Sequence, residues 1–102
     1  MFGDIFNKKS KYKFSDPKNT ASIMCSHVLE NQMPILYVTH DEDDGGWQFL
    51  CGAENHEDQH GRIIALFEVT TIDPSVNKLY DMPPGVGAER ESRNDQWQPF
   101  YL

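Results

Sequence analysis

Apolar residues in this chain fall in a few short blocks, separated by polar or turn-forming stretches. That pattern fits a small sheet better than a helical bundle. The first block, residues 21–27, reads as a strand running into Val28 and Leu29, and the polar Glu30, Asn31 and Gln32 suit a loop. Residues 34–40 give the clearest strand signal, β-branched and aromatic residues between turn-forming flanks, with Pro34 tolerated at the first position. Asp44-Gly45 is a strong hairpin dipeptide, because glycine takes positive φ without a Cβ clash. Residues 47–52 then form the return strand, with Trp47 and Phe49 on one face and Gln48 and Leu50 on the other. Residues 53–61 are polar and predict a loop or a frayed helical turn. Residues 63–72 are apolar in their first half; their β-branched content favours a strand, but Ala65, Leu66, Phe67 and Glu68 also suit a helix, and so short a run does not separate the two. Asp73 and Pro74 make a helix start, with Val76, Leu79 and Tyr80 on one face, and Met82-Pro83-Pro84-Gly85 stops it. A last strand is expected over residues 86–92, with Trp97 and Phe100 closing over the core. The expected fold is α+β: a small, mostly antiparallel sheet of four to five strands with one or two short helices.

Length and charge refine this picture. The 102 residues suit one domain, and no window carries the ~18 apolar residues of a membrane span. The N-terminal residues lack the apolar core of a secretory signal. The formal net charge is −7 and its distribution is uneven. Residues 1–20 hold Lys8, Lys9, Lys11, Lys13 and Lys18 against Asp4 and Asp16, while residues 21–102 set fourteen acids against Arg62, Lys78, Arg90 and Arg93. The chain therefore divides into a basic, weakly packed N-terminal arm (1–20) and one acidic domain (21–102). The acidity argues against nucleic acid as a partner, although Tyr12 and Phe14 among the lysines leave an arm contacting phosphate or an acidic partner as an alternative to a solubilising tail.

No motif carries convincing catalytic chemistry. His56-Glu57-Asp58-Gln59-His60 matches the H-E-x-x-H zinc-protease pattern, but its flanks are polar and Gly61 follows at once, so no buried helix is expected there. Cys25, His27, His40, Cys51, His56 and His60 lack the paired spacing of structural zinc. Both cysteines are expected as small buried hydrophobes with reduced thiols. Asp41-x-Asp43-x-x-Gly46 opens like a calcium loop, but the fifth position is Gly45 and the twelfth is Gly52. No catalytic residue, metal or cofactor is expected from these readings.

What remains is surface. Asp41, Glu42, Asp43 and Asp44 form one acidic run, and Glu54, Glu57 and Asp58 form another, both flanking the strand that begins at Trp47. Solvated loops are the ordinary reading. The functional one is an electrostatic docking face, since complementary charge raises association rates and rejects wrong partners. Trp47 is either a contact residue or plain core.

Several segments in order (Cys25-Ser-His-Val-Leu, Pro34-Ile-Leu-Tyr-Val-Thr-His-Asp-Glu-Asp, Trp47-Gln-Phe-Leu-Cys-Gly, Asp73-Pro-Ser-Val, Pro84-Gly, Arg90-Glu-Ser and Trp97) resemble small bacterial proteins of a domain-of-unknown-function family, immunity-protein-33-like, over about residues 22–98. The resemblance implies a cytoplasmic protein that neutralises a toxin by binding it, and an acidic domain suits a basic toxin. The leading expectation is thus a non-enzymatic protein-binding module that contacts a basic partner through Asp41, Glu42, Asp43, Asp44, Trp47, Glu54, Glu57 and Asp58. The rivals are a metal protein or enzyme using the His/Cys set, and a structural domain whose sheet edge pairs with a second copy.

Overall fold

A computed structural model describes residues 12–52 and 61–102. The elements in order are β1 (Ala21–Cys25), α1 (Ser26–Asn31), β2 (Tyr37–His40), β3 (Trp47–Leu50), β4 (Gly61–Ala65), α2 (Leu66–Ile72), a 3₁₀ helix (Pro74–Leu79), β5 (Val86–Glu89) and β6 (Gln98–Tyr101). The strands form one sheet in the order β4-β1-β3-β2-β5-β6. The expected hairpin is present, with Tyr37 opposite Leu50 and His40 opposite Trp47. Its second strand also pairs with β1, in parallel, Met24 lying beside Phe49. The other neighbouring pairs are antiparallel.

The α+β expectation holds, with a correction in the sheet: among the described residues it has six strands rather than four to five, and one of its five neighbouring pairs is parallel, which makes it mixed. Two local readings explain the difference. The apolar stretch read as strand or helix is both, a strand to Ala65 and a helix from Leu66, so β4 joins the sheet. The C-terminal strand β6 was hidden by Pro99, which an edge strand tolerates because its missing N–H removes no interior ladder bond.

Register aligns the core. Met24, Phe49, Val38 and Ala88 sit side by side across four strands, each no more than 1% exposed. Leu66 and Val69 of α2 and Val76 and Leu79 of the 3₁₀ helix complete the same core cluster. Tyr80, expected on their face, is 48% exposed. A 3₁₀ turn repeats every three residues, so positions 76 and 79 eclipse and position 80 swings out. Asp73 caps this element as expected, its Oδ1 accepting from the Ser75 backbone N–H at 3.0 Å.

Of the basic arm, residues 12–20 are described and Lys8, Lys9 and Lys11 lie outside the described residues. Phe14 is buried, meeting the Trp47 ring edge-on at 4.9 Å. The carbonyls of Thr20 and Lys18 accept from the N–H groups of Leu66 and Phe67, at 2.8 and 3.0 Å. Those N–H groups open α2, where no intrahelical partner exists. On the opposite sheet face, the Phe100 ring lies over Gly87, where a Cβ would stand 2.6 Å from its Cζ. Only glycine lets that ring lie flat on the strand.

Candidate functional site

The acidic run Asp41, Glu42, Asp43 and Asp44 occupies the tip of the β2–β3 hairpin. Its conformation is set locally. The Asp41 N–H donates to the Gly46 carbonyl at 2.8 Å, the Gly45 N–H donates to the Asp41 carbonyl at 3.1 Å, and Gly45 takes φ +70°. The Asp44 carboxylate accepts from the Gly46 N–H at 2.8 Å, an Asx turn that spends one acid on shape. Glu42, Asp43 and Asp44 are exposed, while Asp41 is half-buried and lies 3.4 Å from the Gln48 amide.

His40 braces this tip from beneath. Its Nδ1 faces the Met82 carbonyl at 2.7 Å and its Nε2 faces the Gly45 carbonyl at 3.2 Å, so the ring ties the loop to residues 82–85. The imidazole stacks on Trp47 with centroids 3.9 Å apart and planes 13° apart. Trp47 itself is 3% exposed and donates from Nε1 to the Asp16 carboxylate at 3.2 Å. Of the two readings of Trp47, its position is the core one: it supports the loop and presents no surface. The Gly85 N–H donates to the His40 carbonyl at 2.8 Å, and the Glu42 carboxylate lies over Gly85. Glu54, Glu57 and Asp58, with His56 and His60, lie outside the described residues.

Beyond residues 82–85 opens a groove of about 570 Å³ lined in part by Lys78, Asp81, Met82, Pro83, Trp97 and Pro99. The segment that anchors His40 is therefore also one wall of a largely apolar groove beside the acidic tip. Residue spacing could not show this. The groove forms between the turn after the 3₁₀ helix and the β5–β6 edge, and β6 is the strand that Pro99 concealed.

At the other end of β3 a second group assembles. Ligand atoms of Cys25, His27 and Cys51 all lie within 4.8 Å of one another, with Cys51 Sγ 3.5 Å from His27 Nδ1. The paired spacing of structural zinc is absent, yet the fold brings these groups together: β1 ends at Cys25, and His27 lies in the first turn of the helix that begins at Ser26. Both cysteines are free and buried. Burial pushes the Cys25 thiol up and the neighbouring Cys51 thiol reinforces this, while hydrogen bonds from the Val28 and Cys51 backbone oppose it. A thiol held up in this way is weakly nucleophilic at neutral pH.

No described helix is long and apolar enough to cross a membrane. The model of one protein family, described as the immunity protein Imm33 domain, matches residues 22–100. No curated protein matches the chain, and no solved structure does.

Proposed function

Because the chain belongs to the immunity protein Imm33 domain family, whose model covers residues 22–100, we propose that it is a non-enzymatic binding module that neutralises a basic toxin in the bacterial cytoplasm by occupying it. The family match carries this reading. The geometry supports the contact surface: an acidic tip held in shape by its own turn bonds and by His40, beside a groove with apolar walls. Preorganised charge accelerates encounter with a basic partner, and an apolar pocket next to it takes an anchoring side chain. The exposed Glu42, Asp43 and Asp44 are the contact acids, Asp41 shapes the loop, and Trp47 and His40 hold it from below. Glu54, Glu57 and Asp58 enter this proposal by their negative charge alone.

The test is capture of partners from the native cell, followed by co-expression of the captured protein with the chain. The expected result is a basic protein bound at equal stoichiometry, whose toxicity the chain suppresses. The variant Glu42→Gln/Asp43→Asn/Asp44→Asn keeps the shape of the Asx turn and removes charge. It should slow association by about 10-fold or more at low salt and flatten its salt dependence. Unchanged association rate and salt dependence in that variant would overturn the contact surface, and a captured partner without toxicity would overturn the immunity reading.

A further inference from the structure

We propose that Cys25, His27 and Cys51 form a binding site for one soft divalent metal ion of the zinc class, with a fourth coordination position open to water or an exogenous ligand. The site is independent of the acidic tip, which sits at the opposite end of β3.

The fold delivers the three ligands to one place. Strands β1 and β3 are parallel neighbours, so their C-terminal ends emerge on the same edge of the sheet. The register sets Met24 beside Phe49, so Cys25 and Cys51 each lie at or just past the end of their strand. The turn into α1 then brings His27 back over the pair. In a tetrahedral zinc site with ordinary bond lengths, sulfur and nitrogen ligands stand about 3.6 Å apart and two sulfurs about 3.8 Å apart. The Cys51 Sγ to His27 Nδ1 distance of 3.5 Å already meets the first figure. The widest separation in the group is at most 4.8 Å, so closing around an ion takes side-chain movement of about 1 Å.

The donor chemistry selects the ion. Two thiol sulfurs and an imidazole prefer zinc-class metals, and magnesium and calcium prefer oxygen. Burial fits as well: Cys25 is fully buried and Cys51 is 4% exposed, while His27 is half-buried and leaves an approach. The bound ion would tie the β1–α1 junction to the end of β3, a link between non-consecutive strands.

The experiment uses the full chain purified without a metal-affinity tag and kept reduced with a non-chelating phosphine. Zinc is titrated against a chromophoric chelator, and cobalt is added separately as a spectroscopic probe. The expected result is one zinc per chain, a raised unfolding temperature, and a cobalt spectrum with thiolate charge-transfer and tetrahedral ligand-field bands. Cys51→Ser and His27→Gln should each weaken binding by on the order of 100-fold or more, at least the loss seen when outer-sphere partners are removed. Circular dichroism confirms that both variants fold, and His27→Gln decides the matter if Cys51→Ser does not. His56→Gln/His60→Gln should bind zinc as the unaltered chain does. Substoichiometric zinc, a cobalt spectrum without thiolate bands, or binding that follows His56 and His60 instead of Cys51 and His27 would each overturn the proposal.

Discussion

The Arg90 guanidinium donates to the Asp73 carboxylate across 2.8 Å, with only 1% of the arginine side chain exposed. This pair joins the residue after β5 to the cap of the 3₁₀ helix. Arg90 also donates to the carbonyls of Ile35 and Arg93 and to the Ser75 hydroxyl, each at 3.0 Å, and lies 4.0 Å from the Trp97 ring centroid. Its donors therefore satisfy four acceptors in three chain segments at once. Arg90→Lys keeps the charge but cannot reproduce the planar fork. It should cost about 2–3 kcal/mol in denaturant unfolding, and Asp73→Ala about 3 kcal/mol or more, since it leaves a buried cation unpaired. Equal stability of Arg90→Lys and the unaltered chain would show that the charge alone matters.

Phe14 lies outside the matched family region, yet its ring packs edge-on against Trp47 in the core. Truncating a buried phenylalanine to alanine typically costs about 3–5 kcal/mol. Phe14→Ala should fall in that range and shift Trp47 fluorescence, as the indole loses a packed neighbour. A chain starting at Ala21 should be at least as unstable, because it also loses the Thr20 and Lys18 carbonyls that receive the first N–H groups of α2. Guanidinium unfolding of the two variants against the full chain measures both effects.

His40 offers a test of how the acidic tip is held. His40→Ala removes the Trp47 stack and leaves the Met82 and Gly45 carbonyls without the ring. The expected cost is about 1–2 kcal/mol of global stability. Amide exchange at Gly45 and Gly46 should quicken by more than that loss explains, because the loop opens locally. Uniform acceleration across all amides would instead mark His40 as an ordinary packing residue.

Tyr12 gives the protein an alkaline signature. Its hydroxyl donates to the Asp16 carbonyl at 2.8 Å. Burial, and secondarily the Asp16 carboxylate, raises the phenol above its ordinary value of 10.0. A group whose folded pKa is raised contributes stability that is present below the unfolded value and lost as pH rises through the folded one. The unfolding temperature should therefore fall more steeply above about pH 10 in the unaltered chain than in Tyr12→Phe, as followed by circular dichroism.

Elements whose cause is local are legible in the order of the amino acids alone. The 34–40 and 47–52 hairpin followed from β-branched and aromatic blocks around Asp44-Gly45, the stop at Met82-Pro83-Pro84-Gly85 from proline, and the cap at Asp73 from its carboxylate. The acidic tip was also readable, because charge and turn residues are both properties of neighbours in the chain. Tertiary structure decided the rest, because each remaining feature depends on residues far apart in sequence. The parallel pairing of β1 with β3 is a non-local choice that no periodicity encodes, and it is what sets Cys25 beside Cys51. A block as short as residues 21–27 does not announce where its strand ends, so the turn at Ser26 that carries His27 toward both thiols was invisible. Phe14 gave no sign of burial from within a lysine-rich stretch, because its partner Trp47 lies 33 residues away. The groove beside the acidic tip needed β6, and β6 exists only because β5 offers an edge on which Pro99 loses nothing.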